Sequence, residues 1–368
     1  MNLTVSGNLP QGLRLQLYYE NVAAQNLTED LWKTIVYHNQ KPLYDFERRL
    51  PFWARNLIGR KLFLWVYLLK QCRFYDFVLN RHSSFDPFTF FFARFIKNRI
   101  SIHHSMELTE LKLVRLGWRG VTASLIERLA GRHSVKNVCA VVGVTKEIAD
   151  YELGRISKSA NSQKPTLIYP NAIDLSNFLV LPDDRSGDYS FVFVCSDFKD
   201  WRGLDLILKN ILCEKHIPHY KLHLVGLLTD EQTQEVTSLN QALGSDVVIP
   251  HGKMFGEDLD YLLKGTDVGL ASFGMFRIGL NEACTLKVRE YLARGIPVYS
   301  NHVDTALPAS FKYYKKDDAF DIKSLIEFAR QMRLVSRTQV HEESAPLISK
   351  EQALGRLLHA LKKIECPF

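Results

Sequence analysis

Apolar residues along this chain fall in short runs separated by segments of helical period, and the pattern is most regular in the second half. Strand-like runs at 191–195, 221–225, 247–249, 268–271 and 298–300 alternate with helix-like segments that begin near Leu204, Asp230, Asp258 and Leu286. That alternation predicts a parallel sheet with right-handed crossovers. The most informative stretch is 266–300. Its first apolar run reads as a buried strand, followed by a loop with Gly274 and Gly279. A short helix is then predicted, with Thr285 as N-cap, Arg294 in the last turn, Gly295 just beyond and Pro297 after that. Val298 and Tyr299 resume a strand. Strand, glycine-containing loop and helix start, in that order, present backbone N–H groups to an anion.

The first half is less regular. Residues 3–5 read as a short strand and 6–12 as a turn whose two glycines are not a Walker loop, because no Gly-Lys-Ser/Thr follows. Residues 51–75 are helical in pattern and mix Trp53, Phe63, Trp65 and Tyr67 with Arg55, Arg60, Lys61, Lys70 and Arg73. Two readings stay open: an interfacial helix lying in a membrane surface, or a helix packed on the sheet with its basic ends in water. The aromatic cluster at 88–95 carries the same ambiguity. Further strands are predicted at 77–80, 99–102 and 139–144, the last leading into a helix capped by Thr145. Residues 166–174 read as a strand running into a turn. At the end of the chain, 349–352 form a capping box before an apolar stripe of Leu354, Leu357, Leu358, Leu361 and Ile364.

Length and composition narrow the class. A chain of 368 residues is too long for one ordinary domain, so two are expected. The net charge of +7 is modest and no basic run reaches five residues, which argues against a nucleic-acid binder. A cationic surface still favours anionic lipids or phosphorylated ligands. The six cysteines are scattered without a Cys-x-x-Cys, as expected for buried thiols in a reducing compartment. With no signal-peptide pattern at the start and no apolar run approaching about 18 residues, the expected location is cytoplasmic.

Candidate chemistry gathers at a few positions. Glu282 and Glu290 bracket the loop-to-helix junction; by themselves such a pair also fits a solvated helix face. The strand at 99–102 ends in His103 and His104, and a histidine there points toward the crevice where parallel sheets bind ligands, although a lone histidine is more often a satisfied core residue. The turn at 196–203 carries Lys199 and Arg202, and Lys287 lies at a helix start, where the dipole helps it neutralise phosphate. Asp258 and Asp260 sit in a helix start and read as first-turn carboxylates rather than a metal motif. No zinc spacing occurs, and no metal or other cofactor is expected.

The segment LKVREYLARGIPV resembles the signature of family 4 glycosyltransferases of the GT-B fold, particularly those of bacterial surface-polysaccharide assembly. The resemblance covers roughly 75–315. It implies an α/β chain of two Rossmann-like parallel-sheet domains facing across a cleft: 1–168 on the acceptor side, 169–348 binding nucleotide-sugar, and 349–368 a closing helix that can cross back. By position, Glu282 would lie by the donor sugar and Glu290 would hold the ribose. ISIHHSMELTELK is similar to the family's sugar-contacting segment, which places that role on His104, followed by Ser105, with Ile102 where a glutamate is frequent. TLIYPNAID looks like the interdomain junction, with Ala172 for the usual glycine. Arg202 takes the place of the family's diphosphate-clamping lysine. Lys199 stands in for an arginine that would fall near Ser196, and Lys253 and Met254 would meet the nucleobase.

The implied activity is transfer of a sugar from a nucleotide-sugar, a substrate rather than a cofactor, with retention of configuration. The implied acceptor is a glycan or lipid-linked glycan, with peripheral contact at the inner membrane face and no nucleic acid partner. Alternatives are a nucleotide-sugar epimerase of the same fold, or a silent scaffold for a partner glycosyltransferase.

Overall fold

The computed structural model describes residues 1–27, 32–114, 118–156, 164–214 and 219–364. The chain divides into two compact units, Met1–Asp174 with Lys350–Phe368, and Leu175–Ser349. The polar stretch at 157–163, expected to precede the boundary, lies outside the described residues, as does Cys366.

The first unit is built on a sheet of seven strands, all parallel. In chain order its elements are β1 (Asn2–Val5), α1 (Gln11–Leu27), β2 (Thr34–His38), β3 (Glu47–Arg49), α2 (Leu57–Gln71), β4 (Val78–Arg81), α3 (Thr89–Phe92), β5 (Arg99–His103), α4 (Glu107–Val114), α5 (Trp118–Lys136), β6 (Ala140–Gly143), α6 (Lys146–Gly154) and β7 (Thr166–Ile168). The strand order is β3-β2-β1-β4-β5-β6-β7, so the direction of winding reverses between β1 and β4. Buried on both faces, β6 reads Ala-Val-Val-Gly without alternation, as parallel strands do. Its helix α6 starts where Thr145 accepts the Ile148 N–H.

Two clusters cover the sheet. On one face Leu3, Val78 and Ile35 pack with Leu64, Trp65 and Leu68 of α2. On the other, Leu79, Ile100 and Ile102 pack with Ala23 and Ala24 of α1 and with Leu354, Leu357 and Leu361 of the last helix, Lys350–Leu361. That helix follows the second unit in sequence and belongs to the first in space, because its apolar stripe completes the α1 face.

The second unit contains β8 (Tyr189–Asp197), α7 (Leu204–Cys213), β9 (Tyr220–Leu227), α8 (Asp230–Leu243), β10 (Val248–Gly252), α9 (Gly256–Lys264), β11 (Val268–Leu270), α10 (Leu286–Ala293), β12 (Val298–Ser300), β13 (Tyr314–Lys316), α11 (Ile322–Met332) and α12 (Arg337–Ile348). The parallel order β10-β9-β8-β11-β12-β13 reverses between β8 and β11, the arrangement of a dinucleotide-binding sheet. Tight layering shows at Gly269 on β11, where a Cβ would come within 2.5 Å of the Tyr291 ring of α10.

The structure departs from the sequence reading in several places. The 51–75 helix is shorter, α2 flanked by 3-10 turns at Phe52–Ala54 and Cys72–Phe74. Its Leu64, Trp65 and Leu68 are buried against the sheet, as the packed reading expects, whereas Leu57 and Ile58 face solvent. Strands β2, β3 and β13 and helix α12 were not legible. Cys72, Cys195, Cys213 and Cys284 are free, but Cys139 is disulfide-bonded, against the expectation of thiols throughout. Among the described residues no helix is long and apolar enough to cross a membrane.

Leu354 is fully buried in the cluster it shares with α1 and the sheet. Leu354→Ala is therefore expected to cost about 2–5 kcal/mol, read as a lowered denaturant midpoint of the first unit. A change below about 0.5 kcal/mol would mean that the last helix adds nothing to that core.

Candidate functional site

In the second unit the chain leaves β8 through a tight turn. A 3-10 turn at Asp200–Arg202 is followed by Gly203 at φ 75°, a left-handed conformation that glycine accepts without strain. A Cβ at Gly203 would also sit 2.7 Å from the Gly274 nitrogen, so the turns after β8 and β11 press backbone to backbone. The Phe273 N–H donates to the Arg202 carbonyl at 2.8 Å, and Arg202 Nη1 donates to Ser272 Oγ at 3.2 Å. Arg277 then ties the β11 turn to α7 through a bidentate pair with Asp205 at 2.8 and 2.6 Å. The Arg202 Nε–H is buried and has no partner among the described residues.

The loop before α10 is held by a second rail. Ala283 N–H donates to the Val303 carbonyl and Val303 N–H to the Asn281 carbonyl, both at 2.9 Å, forming a parallel bridge centred on Glu282. Beneath it Arg289 and Asp304 form a fully buried ion pair, with Arg289 Nη2 donating to Asp304 Oδ1 at 2.8 Å and a second bond through Nη1. Asp304 also accepts from the Ala306 N–H. Thr285 occupies the N-cap position of α10, but its side chain makes no cap hydrogen bond and its hydroxyl is buried without a partner. The predicted Thr285 cap is thus present in backbone conformation only.

Within this frame Lys287 donates to Cys195 Sγ at 3.0 Å and lies 4.6 Å over the Phe193 ring. Burial pulls its pKa down, the Arg202 charge adds to that, and Cys195 opposes it. Burial pushes Glu290 up, while Arg294 and Lys287 pull the other way. Arg294 is hydrogen-bonded to Asp260 at 3.1 Å, and among the described residues the Glu290 carboxylate takes part in no ion pair or hydrogen bond. Arg202, Lys287 and Glu290 therefore form one electrostatically coupled group at the reversal point of the sheet. Lys199 stands apart, exposed, 3.5 Å from Asp197 and 5.1 Å over the Trp201 ring. Lys253, exposed, and Met254, half-buried, occupy the turn between β10 and α9, on the same sheet edge two strands out from β8.

Sequence reasoning missed His302, just past β12. Its Nδ1 lies 2.8 Å from Ser300 Oγ and 3.1 Å from the Ser272 carbonyl, while Nε2 is buried without a partner. A carbonyl can only accept, so Nδ1 carries the hydrogen and Nε2 is a bare acceptor. Burial pushes its pKa down to about 4, which keeps the ring neutral. The available signal was the one used for His104: a histidine at the carboxyl end of a parallel strand.

In the first unit, strand alternation sends the two adjacent histidines to opposite faces. His103 is fully buried and stacks on His82 at 4.6 Å, with Glu152 at 3.7 Å and Ser101 Oγ at 2.9 Å. Arg155 bridges Glu127 and Glu152 at 2.7 and 2.6 Å, and His82 bonds Glu127 at 3.2 Å. Burial opposes charge on His82, yet Glu127 outweighs it and raises its pKa; burial and the His82 charge hold His103 well below the ordinary value. This network pins α4, α5 and α6 to the sheet. His104 instead borders a small cavity with Arg81 and Lys350, and burial followed by those two cations keeps it neutral.

No family model matches the chain, and no curated protein matches it. Solved structures do. Anabaena Alr3699/HepE in complex with UDP and glucose matches with TM-score 0.61 and 12% identity over 99% of both chains. The lipopolysaccharide outer core galactosyltransferase WaaB matches with TM-score 0.60 and 10% identity over 98% of this chain and 99% of that one. Sucrose-phosphate synthase from Thermosynechococcus elongatus matches with TM-score 0.56 and 16% identity, over 98% and 94%. These neighbours are GT-B glycosyltransferases, and the likeness shows that fold for this chain.

The ion pair under the Glu282 loop sets one expectation. Asp304→Asn leaves Arg289 buried and unpaired, at a cost of about 3–5 kcal/mol to the second unit, whereas joint replacement by Arg289→Met and Asp304→Leu recovers most of it. Denaturant midpoints of the three proteins decide. A second expectation concerns acid. Folded His302 takes its proton near pH 4 and the unfolded ring near 6.5, so between those values the unfolded state binds more protons and stability falls as pH drops. His302→Gln should flatten that slope of melting temperature against pH; an unchanged slope would exclude His302 as its source.

Proposed function

We propose that this chain is a retaining glycosyltransferase of the family 4 type, moving a sugar from a nucleotide-sugar donor to a glycan or lipid-linked glycan in surface-polysaccharide assembly. One observation carries the reading. At the reversal point of the second sheet, Arg202 and Lys287 lie at the N-terminal end of α10, and Glu290, which among the described residues makes no ion pair or hydrogen bond, stands one turn further in. That is a site shaped for a nucleoside diphosphate. HepE, which shares the fold, is seen with UDP and with UDP-glucose, and this supports a nucleotide-sugar here as well.

In the proposed mechanism the glycosidic bond to the diphosphate breaks through an oxocarbenium-like transition state, and negative charge builds on the departing phosphate. Arg202 and Lys287 meet that charge together with the first N–H groups of α10, and Lys199 adds a more distant cation. An incoming phosphate gives Lys287, whose present hydrogen-bond partner is a thiol, an anionic partner. The reading invokes no metal ion, because these cations answer the charge directly. Glu290 accepts from the ribose hydroxyls, Lys253 and Met254 border the base, and Glu282 supplies negative charge beside the sugar. Neutral His104 orients the sugar by a hydrogen bond, without competing for the leaving proton.

The lipid-linked acceptor has its own support. Phe52 is 83% exposed and Ile58 69%, with Arg55 set 5.7 Å over the Phe52 ring. On α5, Trp118, Val121, Leu125 and Leu129 form an exposed stripe at helical spacing. Aromatic and aliphatic side chains beside arginines suit an anionic membrane surface.

Glu290→Ala should weaken nucleotide binding about 10- to 100-fold, the equivalent of about 1.5–3 kcal/mol for a hydrogen bond to a charged group. His104→Ala should lower turnover about 100-fold with nucleotide affinity kept. Calorimetry with UDP and UDP-glucose, alongside turnover with and without acceptor, reads both. Unchanged values in both variants would dismiss the assignment, and donor conversion without acceptor would replace transfer by epimerisation.

A further inference from the structure

The cavity bordered by His104 lies wholly within the first unit, on the α1 side of the sheet, and encloses about 30 Å³. At about 10–15 Å³ per water, this is room for about two waters or for the two oxygens of one carboxylate, and too little for a tetrahedral phosphoryl group.

Its walls are cationic and incompletely satisfied. Lys350, the first residue of the last helix, is only 4% exposed. Its ammonium has one long hydrogen bond, to Gln16 Oε1 at 3.4 Å, and the face of Tyr169 at 4.5 Å. Glu20, the one carboxylate among the lining residues, is already committed. Its Oε1 accepts from Asn2, Trp32 and Thr34 at 2.7, 3.0 and 2.9 Å, and its Oε2 from the Tyr169 hydroxyl at 3.0 Å. Arg81 lines the same space. Among the described residues two further polar atoms are buried without partners: the Gln16 amide nitrogen and Asn2 Oδ1, the latter on a side chain 4% exposed. A buried ammonium short of acceptors and an amide donor call for acceptor oxygens bearing negative charge. The orphaned Asn2 oxygen calls for a hydroxyl donor beside them.

A carboxylate with a neighbouring hydroxyl meets each of these demands. We propose that the cavity is a carboxylate subsite for an acidic sugar of the hexuronate class. The proposal rests on the reading above only in that His104, on the cavity wall, meets a sugar. Size selects carboxylate over phosphate, and the Lys350 ammonium selects an acid over a neutral hexose. The acid is carried either by the transferred sugar or by the acceptor.

Titration of the full-length protein with D-glucuronate and with D-glucose, followed by ligand-observed NMR, tests this. The expected result is at least tenfold tighter binding of glucuronate, with the preference lost in Lys350→Met. Gln16→Met is a second variant that should reduce it, and melting temperatures confirm that each variant is folded. Equal binding of the two sugars, or a preference that survives Lys350→Met, would overturn the subsite and leave a cavity that holds water only. UDP titration of Lys350→Met keeps the two readings apart. Undiminished UDP affinity with lost glucuronate preference supports the subsite, whereas failure of even the unmodified protein to bind UDP counts against the donor reading alone. If the acid belongs to the donor, Lys350→Met weakens UDP-glucuronate and not UDP-glucose; if to the acceptor, it weakens neither.

Discussion

Parallel strands all release the chain at one edge of their sheet, and where the strand order reverses, two neighbouring turns part in opposite directions. In the second unit that point lies between β8 and β11. Everything proposed for the donor site follows from it. The Arg202 turn and the Ser272–Gly274 turn meet there because Gly203 lets them approach backbone to backbone. The N-terminus of α10 opens onto the same edge, so its unpaired N–H groups face the space those turns frame.

The electrostatics of that edge are one-sided by construction. The acidic groups nearby are largely committed to structure: Asp304 to Arg289, Asp205 to Arg277, and Asp260 to Arg294. What remains is a half-buried lysine held by a thiol, an arginine with a buried donor to spare, and Glu290. Lys287 has a thiol as its hydrogen-bond partner, and the charge of the Glu290 carboxylate favours its protonated form. The first unit repeats the principle around His104, where Glu20 is consumed by four donors and Lys350 is left short of acceptors.

The parts of the chain legible in advance were those whose neighbours in space are also neighbours in pattern. Strands β11 and β12 are buried throughout and β8 carries the buried run 191–193, because both faces are covered there, and β8 and β11 each lead into a segment of helical period. Two edge strands escaped detection: β3 reads Glu-Arg-Arg and β13 Tyr-Lys-Lys, and no apolar run marks them. The first unit was hard to read for a related reason. Its core contains Glu20, His82, Arg99, His103, Glu127 and Glu152, polar residues that a hydrophobicity pattern assigns to the surface. They are tolerated inside because each finds partners across the sheet, a fact that local sequence does not carry.

By itself the sequence determined the alternation of strands and helices and the parallel character of the sheets. Period and propensity act within a few residues, so they are written locally. Only the tertiary structure decided which of two adjacent histidines is sealed in an ion network and which borders a cavity. It alone decided that Thr285 caps nothing with its side chain, that His302 is buried against Ser300 and the Ser272 carbonyl, and that the last helix belongs to the first unit. These are outcomes of burial and of pairing between distant segments: a charge or hydrogen bond takes its energy from the partners and solvent around it, and those exist only once the chain has folded.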